Sequence, residues 1–90
     1  MLQAVKLAMR ITTSAYDAEL NSLIAAACLD LGVAGIPVES TTTDALLTRA
    51  IITYCRLFFG TPDDFEHLAE AYWQQKAQLQ MAAGYGGAAL

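Results

Sequence analysis

The stretch GTPDD at residues 60–64 constrains the fold of this sequence more than any other feature. Its glycine is typical of a helix end, its threonine of an N-cap and its proline of the first helical position. The two aspartates place negative charge in the first turn of the following helix, where the helix dipole favours it. The stretch therefore predicts that one helix ends at about residue 59 and that another runs from residue 62 to about residue 82.

Apolar residues recur with helical spacing in three segments before this break. The spacing predicts a short helix over residues 2–10, a second that begins near Ser14, and a third from residue 42 or 43 to about residue 59. In the second helix, Ser14 and Asp17 have the form of a capping box, and Gly32 is expected to end the helix. The apolar positions of the second helix that are expected to face the core are Leu20, Leu23, Ile24, Ala27 and Leu31.

The third and fourth predicted helices differ in how far their apolar faces extend. The third helix is apolar on most sides apart from Arg49, Thr53 and Arg56, which is typical of a central helix. Because no helix is fully surrounded in so small a bundle, its extra apolar face is a candidate subunit interface. The stripe of the fourth helix thins after Tyr72, and Lys76 falls in its line, so the second half of this helix is expected to run past the domain.

Together these segments predict an all-α fold, a small bundle of about four helices in which one is short and three are longer. One helical domain is expected over residues 1–83, followed by a flexible Gly- and Ala-rich C-terminal tail over residues 84–90. Residues 32–43 form a predicted loop with two open interpretations. The loop either connects two helices and places one apolar residue under the core, or it contacts another protein.

The balance of hydrophobic and charged residues limits the functions open to the chain. Hydrophobic residues make up 56% of only 90 residues, so part of this apolar surface is expected to contact a partner. The net charge of −4, with five Lys and Arg in total, argues against binding to nucleic acids and to anionic membranes. No apolar run approaches a membrane span, and the first ten residues lack the apolar core of a signal peptide, so a bacterial cytoplasmic address is expected.

The residues that could carry chemistry are few and are not arranged as an active site. His67, the only histidine, is expected on the surface with no nucleophile beside it. Cys28 and Cys55 are expected to be reduced, buried thiols, because a metal site would need further ligands. No catalytic, cofactor-binding or metal-binding residue is therefore expected, and an enzyme is the least favoured function.

Arginine and large apolar side chains are instead expected at an interface. Arg49 and Arg56 share one helix face, where they either form surface ion pairs or bridge to acidic residues of a neighbour. Glu19 and Asp30, expected on the solvent side of the second helix, are candidate acidic residues for such a bridge. Trp73, at the edge of its stripe, is either partly buried or an interface anchor. The candidate interface residues are Arg49, Ile52, Arg56, Phe59, Trp73, Leu79 and Tyr85.

Four stretches of the sequence carry a resemblance to a known family. They are Met9-Arg10-Ile11, ELNSLIAAACLDL at 19–31, AIITYCRLFFGTPDDFEHL at 50–68, and a terminal pattern of Tyr72, Leu79, Gly84 and Tyr85. With these stretches the chain resembles the small α-helical head–tail connector (adaptor) proteins of long-tailed phages and prophages, which are also labelled phage DNA-packaging proteins. The Phe-Gly followed by Pro-Asp-Asp-Phe is the most specific part. Residues 35–43 depart from the short Gly-Arg-containing connection of the better-known members.

The resemblance implies a structural role. Such proteins assemble as a ring, expected to be dodecameric, on the portal after genome packaging, where the ring extends the DNA channel and docks the tail. The implied partners are further copies of the chain, the portal protein and a tail-completion or stopper protein, with DNA only passing through. No cofactor and no membrane are implied. The implied location is the head–tail junction of the virion, with assembly in the bacterial host cytoplasm, and the candidate interface would face neighbouring subunits or the portal.

Two other functional classes stay open on the residues alone. A helix-turn-helix DNA-binding regulator would need a basic recognition helix, whereas the third helix has only Arg49 and Arg56 among apolar residues. A helical accessory module, such as part of a toxin–antitoxin pair, would fold against a protein partner. Binding to a portal protein would separate the connector from both alternatives.

Overall fold

Four α-helices make up the regular structure of the chain. The computed structural model describes residues 1–82 and contains α1 (Leu2–Met9), α2 (Asp17–Val33), α3 (Ala45–Phe58) and α4 (Phe65–Met81). No strand occurs among these residues, so the predicted all-α bundle of one short and three longer helices is confirmed. The predicted tail over residues 84–90, with Tyr85, lies outside the described residues, and the single domain over residues 1–83 stays a prediction.

α3 lies at the centre of the bundle, as its broad apolar face predicts. It packs against α1, α2 and α4. The core consists of Val5, Leu20, Ile24, Ala27, Leu31, Ile36, Leu47, Ala50, Ile51, Ile52, Cys55, Tyr72 and Leu79. The predicted inward face of α2 is therefore confirmed, with Leu23 partly buried against this core.

α2 ends later than predicted, at a glycine three residues further along the chain. Gly32 lies within α2, and it is Gly35 that adopts the left-handed conformation, with φ of 88°. The N–H of Gly35 donates to the carbonyl of Gly32 at 3.0 Å, and the N–H of Ile36 donates to that of Leu31 at 2.8 Å, which is a Schellman motif. The motif turns Ile36 into the core, where it is fully buried. The loop therefore does place one apolar residue under the core.

α2 also begins later than predicted, and the prediction of a capping box formed by Ser14 and Asp17 is wrong. The N-cap is Tyr16, whose side chain makes no capping hydrogen bond. The Asp17 carboxylate instead forms a salt bridge with buried Lys6 of α1, with 2.8 Å between Oδ1 and Nζ. The N–H of Asp17 donates to the carbonyl of Ser14 at 3.2 Å and closes the turn before the helix. The carboxylate that was a candidate for capping α2 thus joins α1 to α2.

α3 begins at Ala45, and not at residue 42 or 43 as predicted, because Asp44 caps it. The Asp44 carboxylate accepts hydrogen bonds from the N–H groups of Leu46 and Leu47, at 2.9 and 3.1 Å. Beyond the end of this helix, Gly60 adopts a φ of 70°, which confirms the predicted helix break. Residues next to α3 in the sequence therefore determine both of its ends, Asp44 at the start and Gly60 after the end.

α4 begins at Phe65, three residues after the predicted start. Thr61 is therefore not the N-cap, and Asp64, which occupies that position, makes no side-chain capping hydrogen bond. Pro62 instead lines a cleft that it shares with Arg56 of α3. The chain passes this cleft before it turns into α4.

Candidate interaction surfaces

Two of the predicted interface residues are buried within the chain itself. Ile52 of α3 is 4% exposed and Leu79 of α4 is 1% exposed, so neither side chain is available to a second molecule in this structure. Tyr72, Lys76 and Leu79 form a continuous buried line along α4. The prediction that the second half of α4 runs past the domain is therefore wrong.

A polar cluster between α2 and α4 explains why this line stays buried. The Nζ of Lys76 lies 3.1 Å from Oδ2 of Asp30, and the Tyr72 hydroxyl donates to the same oxygen. One turn further along α4, Nε2 of Gln80 donates to the carbonyl of Ala34 at 2.9 Å. Because Asp30 compensates the charge of Lys76, the second half of α4 can pack along its own domain.

The cluster also shifts the protonation of its members. Partial burial opposes the ionisation of Asp30, but the hydrogen bonds from Tyr72 and Lys76 and the charge of Lys76 outweigh it. Together they hold the pKa of Asp30 below its usual value. Burial and then the hydrogen bond to the Asp30 carboxylate raise the pKa of Tyr72. Near neutral pH, Asp30 is therefore an ionised acceptor and Tyr72 a neutral donor.

The sequence contains a signal for this cluster in the position of Lys76. A lysine in register with an apolar stripe is rarely buried unless an acidic group pairs with it, so Lys76 implies a carboxylate on a neighbouring helix. Asp30 is partly exposed on α2, but its carboxylate is engaged within the chain, so it is not available for the predicted bridge to a neighbour's arginine. Glu19, which is exposed, stays the candidate for a bridge to a neighbour's arginine.

Four aromatic side chains form a row from the end of α3 to the outside of α4. The ring centroid of Tyr54 lies 4.7 Å from that of Phe58 and 5.4 Å from that of Tyr72. The Nζ of Lys76 lies 5.1 Å from the centroid of Tyr72 and 4.1 Å from that of Trp73, the outermost member. This aromatic row is buried at Tyr72 and open at its ends, since Trp73 is 64% exposed and Phe58 about half exposed. Trp73 is therefore not a core residue, and its role as an interface anchor stays a prediction.

The remaining predicted interface residues lie on or near the surface. Phe59 is half-buried, and its ring packs edge-on against Tyr16 with 5.3 Å between centroids. Nη2 of Arg56 donates to the carbonyl of Ala8 at 2.9 Å, which holds this side chain against α1. The exposed cations that form no salt bridge with residues 1–82 are Arg10, Arg49 and Arg56.

An uncovered apolar stripe lies on α2, on the face opposite the core. Leu29 and Val33 are 72% and 89% exposed, and they are neighbours on the helix surface because they are four residues apart. The buried Ala27 and Leu31 occupy the opposite face. We name Ala25, Leu29 and Val33 the outer stripe.

The extra apolar face of α3 is, in contrast, largely covered within the chain. Ile52 and Leu57 are both buried, because α1, α2 and α4 all pack against α3. The exposed apolar surface thus lies mainly on the other helices, on Leu29 and Val33 of α2 and on Leu7, Trp73 and Met81 of α1 and α4.

A groove of about 690 Å³ runs between the end of α2 and the loop that follows it. Its lining includes Cys28, Leu29, Val33, Pro37 and Val38, and it is mainly apolar. A second hollow of about 460 Å³ shares Cys28, Leu29 and Val38 with the first and continues along α2 as far as Asn21. We name the two together the α2 groove.

The groups that could carry chemistry are placed apart from one another. Cys28 and Cys55 are free thiols. Burial raises the pKa of Cys28, and it raises the pKa of Cys55 to about 12, so both are protonated near neutral pH. His67 is exposed, and residues 1–82 contain no group of three or more potential metal ligands. Within that same range, no helix combines the length and the apolar character that a membrane crossing requires.

The sequence is similar to a known protein family over almost its whole length. The model of the family described as phage connector protein matches residues 1–86. No curated protein and no solved structure matches the chain. The matched range contains all four helices, the aromatic row and the α2 groove.

Proposed function

The chain belongs to the phage connector protein family, and on this premise we propose that it forms a head–tail connector ring under the portal. Family membership makes the chain a structural phage protein and a component of the virion. In the proposed ring the subunits extend the DNA channel and present a docking surface to the tail. The observation that carries the proposal is the presence of two separate uncovered apolar surfaces on one small subunit.

Head-to-tail assembly requires such a pair of surfaces. A ring of identical subunits closes through contacts that each join two different faces. The outer stripe on α2 offers one apolar face, and the open ends of the aromatic row offer the other. We propose that the outer stripe of one subunit packs against Trp73 and Phe58 of the next.

The other predicted interface residues take part in this proposal in two ways. Arg49, Arg56, Phe59 and Tyr85 are proposed to contact a neighbouring subunit or the portal. Ile52 and Leu79 are buried, so they support these surfaces from within the core.

The proposed partners follow from the place of the ring at the head–tail junction. They are further copies of the chain, in a ring proposed to be dodecameric, together with the portal protein and a tail-completion or stopper protein. Assembly is proposed to occur in the bacterial host cytoplasm.

The charge of the chain supports a channel through which DNA passes without being held. The net charge is −4, so DNA phosphates find few cations to bind. If this charge matters, lysines substituted for acidic residues that line the assembled channel should slow DNA ejection. If ejection is unchanged, the charge of the channel plays no part in DNA passage, and the proposed ring itself is not affected by this result.

Portal binding tests the proposed function. The purified chain is mixed with the portal protein of the same phage, and complexes are counted by native mass spectrometry and imaged by electron microscopy. We expect a ring of subunits on the portal. Val33→Asp and Trp73→Ala should each weaken assembly about tenfold or more, because each removes an apolar anchor from one of the two faces.

The control is Gln78→Asp, which adds a charge at an exposed position of α4 outside both surfaces. It should assemble as the unmodified chain does, and circular dichroism verifies that all three variants are folded. A chain that does not bind the portal, or normal assembly by both Val33→Asp and Trp73→Ala, would refute the ring contacts proposed here.

A further inference from the structure

We propose that in the free subunit the α2 groove binds the chain's own C-terminal segment, residues 83–90, of sequence AGYGGAAL. This inference concerns the subunit before assembly and goes beyond the ring proposed above. It rests on where α4 ends, on the length of the segment and on the match between the segment and the groove lining.

The end of α4 lies beside the end of the α2 groove. The hydrogen bond from Gln80 to the carbonyl of Ala34 fixes the last turn of α4 against the C-terminus of α2. Ala34 directly follows Val33, which lines the groove. Ala82 then leaves the helix with an extended backbone, at φ −79° and ψ 138°. The chain therefore continues from a point next to the groove.

The segment is long enough to lie along the whole groove. Its eight residues span up to about 26 Å when extended. The part of α2 that borders the groove, from Asn21 to Val33, is about 18 Å long at the rise of an α-helix. The segment can therefore turn around the end of α2 and still reach the far end of the groove.

The chemistry of the segment matches that of the groove. Residues 83–90 contain no charged side chain, and their large side chains are Tyr85 and Leu90. The groove walls include Leu29 and Val33, which are the two side chains of α2 with the largest uncovered apolar surfaces. Three glycines in the segment lack side chains and so allow its backbone to approach the helix closely. Binding would remove apolar surface of both partners from water.

Cys28 provides a direct test, because it lines the α2 groove and is partly exposed. The rate at which a maleimide modifies Cys28 is measured in the free full-length chain and mapped by mass spectrometry. Cys55, which is fully buried, serves as the internal reference for global opening. The same measurement is made on full-length Tyr85→Asp/Leu90→Asp, whose two new charges an apolar groove does not accommodate.

We expect the double variant to be modified at Cys28 about fivefold faster or more, with no change at Cys55. Val33→Asp, at a position that is 89% exposed, should give the same increase from the groove side. Gln78→Asp should leave the rate at Cys28 unchanged, because it adds a charge outside the groove.

Equal rates at Cys28 in the unmodified chain and the double variant would overturn the inference. So would a rate in the unmodified chain that falls as protein concentration rises, because a second copy would then be the occupant. These measurements contain no portal protein, so their failure is distinguishable from a failure of the proposed ring, which is judged by portal binding.

Discussion

α2 and α3 are both apolar on more than one side, yet only α3 has most of that surface covered within the chain. α3 lies against all three other helices, so Ile52 and Leu57 are buried. α2 packs against α1 and α3 and meets α4 through the side chain of Asp30, yet Leu29 and Val33 on its far face stay open. The comparison teaches that a broad apolar arc does not by itself identify an interface. Whether the arc is core or contact surface depends on which faces of the helix its neighbours cover, and no neighbour covers the face of α2 that carries Leu29 and Val33.

Leucines on opposite faces of α2 give the largest test of this comparison. Leu31→Ala should lower the free energy of unfolding by about 2–5 kcal/mol, because it leaves a cavity in the core. Leu29→Ala, with the same atoms removed, should cost about 1 kcal/mol or less, because the side chain is largely exposed. Urea unfolding followed by circular dichroism measures both. Equal costs would show that the outer face of α2 is packed as tightly as its inner face.

The polar cluster between α2 and α4 should have the next largest effect. Asp30→Asn should destabilise the chain by about 1–2 kcal/mol, because it leaves the buried Lys76 without its counter-charge. The loss stays below that of a fully buried pair, because solvent reaches the Asp30 carboxylate and screens it.

A double-mutant cycle with Lys76→Met isolates the pair. The double variant should cost less than the sum of the two single variants, because it removes both charges together. Strict additivity in urea unfolding would mean that the salt bridge contributes nothing to the contact between α2 and α4.

The N-termini of α2 and α3 differ as well, and substitutions there should change the free energy of unfolding by less than those in the polar cluster. Asp44→Ala should cost about 1 kcal/mol, because two N–H groups of α3 lose the oxygen that they donate to. Ser14→Ala is the matched change before α2, where the side chain caps nothing, and it should cost a few tenths of a kcal/mol at most. Thermal and urea unfolding compare the two. A larger loss of unfolding free energy for Ser14→Ala than for Asp44→Ala would indicate that Ser14 does cap α2, contrary to the structure.

The dependence of stability on pH should be the smallest effect. The pKa of Asp30 is lower in the folded chain than in the unfolded chain, so its contribution is complete above about pH 4, the usual range of an aspartate. The contribution is lost as pH falls through the lower, folded value. The difference in unfolding free energy between the unmodified chain and Asp30→Asn should therefore shrink between pH 6 and pH 3, by less than about 1 kcal/mol because of solvent screening. If the difference in unfolding free energy does not vary with pH, the ionised carboxylate of Asp30 does not contribute to stability.

Much of the fold follows from periodicity in the sequence, whereas helix ends depend on tertiary contacts. The inward residues of α2 and the break at Gly60 are set by local spacing and backbone preference, so they are predicted correctly. The start of α2 is not, because Asp17 is drawn to Lys6 of α1 instead of capping its own helix. The end of α2 moves to Gly35 because the core has a place for Ile36.

The candidate interaction surfaces are harder to predict from the sequence than the helices are. The sequence shows that apolar surface exceeds what the core can hold, but not which helix keeps the excess. That depends on which faces the helices bury against one another, and here most of the apolar face of α3 is covered while Leu29 and Val33 of α2 stay open. The burial of Leu79 depends on the pairing of Lys76 with Asp30 across 46 positions, which no local pattern contains.

The two lysines have a practical consequence for anyone who counts the subunits of an assembly of this chain. Both lysine residues are nine-tenths buried, and their ammonium groups form salt bridges with aspartates, Lys6 with Asp17 and Lys76 with Asp30. Amine-reactive crosslinkers therefore meet lysines that are shielded and engaged, and a weak ladder of crosslinked bands would say little about whether a complex had formed. Reagents that couple exposed carboxylates, which this acidic surface offers in number, are the better choice.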